Sequence, residues 1–174
     1  MSSLLKFLLL SLLIVGSSCS QQETELNNSE TSKIIPVVDS SIDSNDQGLV
    51  TVSSPYSVSE TSDRLEKIIN SKDLTLFTRI DHTANAQKVG LELQPTQLII
   101  FGNPQVGTPL MNCSATTAID LPQKFLVMQD DSQQTQIAYN SPQYLQQRHE
   151  IKGCDAELNK VAGALKGIAQ EASK

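Results

Sequence analysis

The chain has no tryptophan, only four Phe and three Tyr, and two His in 174 residues. A core assembled with so few rings is expected to be aliphatic. There are three Cys and no CxxC pair, which leaves a thioredoxin-like redox motif unsupported. No GxSxG nucleophile motif occurs, and the carboxylates are scattered without the spacing of a glycosidase pair. Gly107-Thr108-Pro109 could present amides to an anion but lacks a Walker A Lys, so it is read as a turn. An ordinary hydrolase is therefore unsupported, and no catalytic residue or metal-ligand set is assigned. Basic residues are also scarce, 13 against 19 acids. Such a surface repels phosphate backbones, which disfavours nucleic acid as a partner. A hydrophobic content of 39% is enough for a globular core but not for a polytopic membrane protein.

One long hydrophobic run is present, and it stands at the N-terminus. Lys6 supplies a positive charge, Phe7 to Val15 is apolar apart from Ser11, and Gly16-Ser17-Ser18-Cys19 follows. The run is too short for a membrane-spanning helix of about 20 residues and reads as a signal peptide over residues 1–18. The small residues before Cys19 resemble a bacterial lipobox, with Gly16 where that pattern usually has Leu. Cys19 is then the lipidation site, and the chain is expected on the periplasmic side of a bacterial membrane. The alternative is an ordinary signal peptide with Cys19 incidental. Ser20 stands where an inner-membrane retention signal has Asp, which favours the outer membrane. Cleavage removes Lys6, leaving 12 basic and 19 acidic residues and a net charge of −7. That charge argues against electrostatic attachment to anionic lipid, so the membrane is reached through the N-terminal acyl chains.

Export places Cys113 and Cys154 in an oxidising compartment, where an even pair is a disulfide candidate. A bridge closing a loop of about 42 residues would stabilise the fold by roughly 4 kcal/mol on the chain-entropy account. Two free thiols, or a redox-active or metal-binding pair, are the competing readings.

Residues 19–47 are rich in Ser, Asn, Gln and acids, without sustained periodicity, and read as a flexible tether. The folded part is expected over 48–174. Leu49 to Ser53 reads as a strand, and Ser57-Val58-Ser59-Glu60 as a capping box opening a helix to about Ser71. Leu74 to Ile80 reads as a strand with Leu74, Leu76 and Ile80 on one face and Phe77 and Arg79 on the other. A short helix follows and stops at Gly90. Leu98 to Phe101 shows no alternation, so both its faces are expected to be covered. Asn103-Pro104 suits a helix start, and Thr108-Pro109 can repeat that arrangement one turn later. Phe125 to Met128 and Thr135 to Tyr139 form a hairpin across Asp130-Asp131-Ser132. A short helix opens at Ser141-Pro142, and a last amphipathic helix begins near Asp155. Gly163 and Gly167 on that helix could permit close packing. The order predicts an α+β domain: a four- or five-stranded, mainly antiparallel sheet with helices packed mostly on one face.

Several segments carry a resemblance: Arg79-Ile80-Asp81-His82, Asn103-Pro104 with Gly107-Thr108-Pro109-Leu110-Met111, Asp120-Leu121-Pro122, Tyr144-Leu145 and Arg148-His149. In this order they resemble the DUF302 family of bacterial and archaeal domains, over roughly residues 48–172. The resemblance implies an α+β fold and a homodimer that exchanges elements between subunits. It implies no reaction and no catalytic residues. Cys113 and Cys154 lie outside the family pattern.

The candidate ligand-binding residues are Asp81, His82, Thr108 and His149. His82 follows a strand end and precedes a helix, where reactive groups often sit. Two imidazoles could hold a metal or haem iron, or act as acid and base. The plainer readings make Asp81 a helix cap and set His149 against carbonyls at a helix C-terminus. No cofactor is indicated. The leading expectation is a non-catalytic, lipid-tethered binding or accessory domain of the cell envelope, with a small-molecule ligand or a protein partner. The alternative is a redox, metal- or haem-dependent protein using His82, His149 or the Cys113/Cys154 pair.

Overall fold

Alternating burial along the strands decides which way the sheet faces. The computed structural model describes residues 48–174 together with the backbone of Asp43–Ser44. The expected signal peptide, the expected lipidation site Cys19 and all of the expected tether but those two residues lie outside the described residues. In chain order the elements are β1 (Asp43–Ser44), β2 (Leu49–Ser54), α1 (Val58–Ser71), β3 (Thr75–Asp81), α2 (His82–Lys88) and β4 (Thr96–Gly102). Then come α3 (Pro104–Cys113), a 3-10 turn (Ala115–Ile119), β5 (Gln123–Gln129), β6 (Thr135–Asn140), α4 (Pro142–Arg148) and α5 (Asp155–Ala172). The strands form one sheet in the order β1-β2-β6-β5-β4-β3, every neighbouring pair antiparallel. This is the expected α+β class, with β1 a two-residue addition at one edge.

One face of the sheet carries the core. Val50, Val52, Ile99, Phe101, Phe125, Val127, Ile137 and Tyr139 are buried against Leu65 and Ile69 of α1 and Leu158, Leu165 and Ile168 of α5. The core is mainly aliphatic, as expected, and holds one row of three rings. Phe101 stacks on Phe125 with ring centroids 4.9 Å apart, and Phe125 meets Tyr139 edge-on at 5.5 Å. Few rings suffice because adjacent positions on β4, β5 and β6 place three of them in one row, where such pairs add to simple burial.

The other face holds the remaining residues of the apolar runs. Leu98, Ile100, Leu126 and Met128 are only partly buried there. The expectation that both faces of the Leu98–Phe101 strand are covered therefore holds for one face.

Strand β3 also departs from simple alternation. Leu76 pairs with Phe101, but Thr78 pairs with Ile100, so Phe77 has no partner and forms a bulge. The extra residue reverses the facing of everything after it. Arg79 comes round to the helix side, where its guanidinium reaches Asp63 of α1 at 2.6 Å and Glu66 at 3.4 Å. Ile80 turns to the opposite face from Leu76, which overturns their expected grouping.

The helices follow their local signals. Ser57 caps α1, its hydroxyl accepting from the Glu60 amide at 3.2 Å. Asn103 caps α3 by accepting from the Gln105 amide, with Pro104 in the first turn. α3 then runs unbroken through Pro109 rather than restarting there. Gly163 and Gly167 do not serve close packing within the chain, because a methyl at either would meet nothing within 4 Å.

Candidate functional site

The site grows out of one end of β4. Gly102 closes that strand, α3 leaves directly after it, and the chain returns through Asp120-Leu121-Pro122 into β5. The Leu121–Pro122 peptide is cis. A methyl at Gly102 would stand 3.5 Å from Pro122 Cβ and 3.6 Å from Phe77 Cε2, and one at Gly107 would stand 3.6 Å from Leu121 Cδ1. A methyl at either glycine would thus make ordinary contact with the turn or with Phe77, which shows how near strand end, helix and turn lie to one another. Between them lies a half-open cavity of about 230 Å³. Val106, Leu110 and Met111 of α3 form one wall, and Leu121 and Pro122 form the facing one. Val161 of α5 and the bulged Phe77 also line it. The polar side chains in the lining are Asn103, Thr108 and Gln123.

The Leu121–Pro122 wall is held from behind. Asp120 Oδ2 lies 2.6 Å from His149 Nε2 and 3.6 Å from Arg148 Nη1. The other ring nitrogen, Nδ1, is 3.1 Å from Thr116 Oγ1. Ser114 donates to the His149 carbonyl at 2.8 Å. The Lys124 ammonium donates to the carbonyls of Asp120 at 2.9 Å and Pro122 at 2.8 Å. Burial pushes the Lys124 amine below its ordinary pKa, with the Asp120 charge acting in the opposite direction. At the far end of α3, Cys113 is disulfide-bonded to Cys154, which precedes α5. The helix that forms one cavity wall is thereby joined to the helix that contributes Val161.

The four candidate residues fall in different places. Thr108 lines the cavity and is exposed. His149 sits outside its lining, with its side chain 5% exposed, behind the Asp120 wall. Asp81 caps α2, Oδ1 accepting from the Ala84 amide at 2.8 Å and Oδ2 from the Gln97 side chain at 3.1 Å. The Ala84 amide is the main cause holding the Asp81 carboxyl below its ordinary pKa, partial desolvation opposes it, and Gln97 and the Arg79 charge add to it. His82 is exposed at the start of α2. Asp81 pairs with Gln97, while Thr75 pairs with Gly102. The Asp81–His82 corner and the cavity are therefore separated by about 17 Å of strand. The two His do not share a cavity, and among the described residues no three His, Cys, Asp or Glu side chains converge as metal ligands.

Sequence reasoning missed Phe77, whose exposure depends on a bulge, and the Asp120–His149 pair, which joins residues 29 apart. The signal available for that pair was that both belong to recognised short segments.

The model of the family described as "Domain of unknown function DUF302" matches residues 50–172. The chain belongs to the DUF302 family. A solved structure with this DUF302 fold is the uncharacterized conserved protein DUF302 from Bacillus stearothermophilus. It superposes with a TM-score of 0.65 at 21% identity, over 72% of this chain and 98% of that one. That likeness concerns the fold alone. Among curated proteins, the DUF302 chain is 47% identical over 106 residues to Fluoride-specific ion channel FluC 1 of Brucella suis, covering 61% of this chain and 42% of the relative. The same identity is found with FluC 1 of Brucella abortus and FluC 2 of Brucella melitensis, covering 39% of each. The chain thus spans about two fifths of the length of these relatives.

Proposed function

We propose that the chain is an exported, lipid-anchored envelope protein whose DUF302 domain binds a small molecule in an accessory, non-catalytic role. The observation that supports this reading best is the cavity walled by Val106, Leu110 and Met111 on one side and Leu121 and Pro122 on the other. Concave, mainly apolar sites with a few polar groups are the usual form of small-molecule sites. The apolar run before Cys19, read as a signal peptide over residues 1–18, supports placement at a membrane surface. The relatives named as fluoride channels lend the domain a membrane-protein context. No helix among the described residues is long and apolar enough to cross a membrane. A homodimer belongs to the same reading and is checked by light scattering.

The test is a thermal-shift screen of residues 20–174 against metals, haem and small metabolites. A ligand at 100 times its Kd stabilises by about 2.7 kcal/mol, a shift of roughly 10 °C for a domain of this size. The reading expects such a shift from at least one small molecule and its loss in Thr108→Trp, which fills the cavity from an exposed position. Turnover of a substrate with no binding at the cavity would defeat it.

A further inference from the structure

We infer that the cavity takes an uncharged, ring-containing ligand with a single hydrogen-bonding group, and that the bulged Phe77 is its contact at the mouth. The inference rests on the binding reading above and specifies its ligand.

Three observations carry it. First, none of the residues lining the cavity is Asp, Glu, Lys, Arg or His. A charged ligand entering there would lose hydration with no countercharge to replace it. Asp120 and Lys124 stand nearby but spend their polar atoms on His149, Arg148 and backbone carbonyls. Second, the size suits one or two fused rings. A cavity of about 150 Å³ lined by Leu, Ile and Phe accepts benzene, and this one offers about 230 Å³. Gln123 and Thr108 present an amide and a hydroxyl that bond to no other described residue, enough to orient one polar atom of a ligand.

Third, Phe77 is 52% exposed, in a bulge that breaks the β3–β4 ladder. A bulge beside a cleft re-aims a side chain, and this ring is placed over Gly102 at the cavity edge. An exposed ring there contributes no core packing. It offers a face or edge to a bound ring, a contact worth about three- to tenfold in affinity. Met111, also in the lining, supplies a flexible thioether that adapts to aromatic shapes.

The experiment uses 15N-labelled protein of residues 20–174, with indole and indole-3-acetate as probes. Residues 20–174 contain the whole of the family match at 50–172, so this protein omits only residues 1–19. Indole is expected to shift the amides of Gly102, Val106, Gly107 and Leu110. Indole-3-acetate is expected to bind more than about tenfold more weakly. Phe77→Ala should weaken indole about three- to tenfold while leaving thermal stability unchanged, and Thr108→Trp should abolish the shifts. Equal binding of the anion, or unchanged indole affinity in Phe77→Ala, overturns the inference while the binding reading stands. Failure of indole and of every other probe to shift those four amides overturns both.

Discussion

Breaking the Cys113–Cys154 bridge, whose Cys154 lies in the core, should lower stability substantially. The cysteines are 41 residues apart in sequence. On the chain-entropy account, a loop of that length removes enough freedom from the unfolded chain to stabilise the fold by roughly 4 kcal/mol. For a domain of about 127 residues, each kcal/mol shifts Tm by roughly 4 °C. Loss of the bridge is thus expected to lower Tm by about 15 °C. Cys154 is 5% exposed, so the double variant Cys113→Ala, Cys154→Ala is preferred to serine, which would bury a hydroxyl. The assay is thermal denaturation followed by circular dichroism on the oxidised protein, the reduced protein and the double variant, with thiols counted in each. Reduced protein and variant should melt together, well below the oxidised form. The reasoning is refuted if the oxidised protein shows two free thiols among residues 20–174, or if all three melt within about 3 °C. A bridge reduced at mild potential would revive the redox alternative.

Other outcomes follow from named contacts. His149→Leu leaves Asp120 Oδ2 without its 2.6 Å partner and Thr116 without its ring nitrogen; urea denaturation should show a loss of about 2–3 kcal/mol. Asp81→Ala removes the cap of α2 and should cost about 1 kcal/mol at neutral pH. Because the folded Asp81 carboxyl lies below its ordinary 3.8, its contribution is complete well above that value, from about pH 5, and fades as pH falls through 3.8 and then the lower folded value. An Asp81→Asn variant should lack that part of the acid dependence. Gly163→Ala with Gly167→Ala should stabilise by about 1–2 kcal/mol in total, since both added methyls enter open space on a helix. Gly48→Ala should destabilise, because φ there is +77° and its methyl would collide with the Tyr144 ring.

The strands and helices were legible because their signals are local. Caps at Ser57 and Asn103, the apolar runs at Leu98 and Phe125, and the helical spacing of Leu158, Val161 and Leu165 all lie within a few residues of the elements they specify. The β3 bulge was not legible, because the adjacent apolar pair Leu76-Phe77 fits an unbulged strand with a side chain on each face equally well. Only the ladder with β4 and the ion pairs of Arg79 to α1 select the shifted register. The aromatic row was hidden for a similar reason, since Phe101, Phe125 and Tyr139 come from three strands. At the site, short segments such as Gly107 to Met111 and Asp120 to Pro122 could be recognised. Their meeting across one cavity is a long-range contact between helix α3 and the turn before β5, which no local pattern encodes.

The most direct test of the binding account is a set of intermolecular NOEs from bound indole. The account predicts NOEs to the methyl groups of Val106, Leu110, Met111 and Leu121, which line the cavity. NOEs from the bound ring confined to Leu98, Leu126 and Met128 on the other face of the sheet would contradict it.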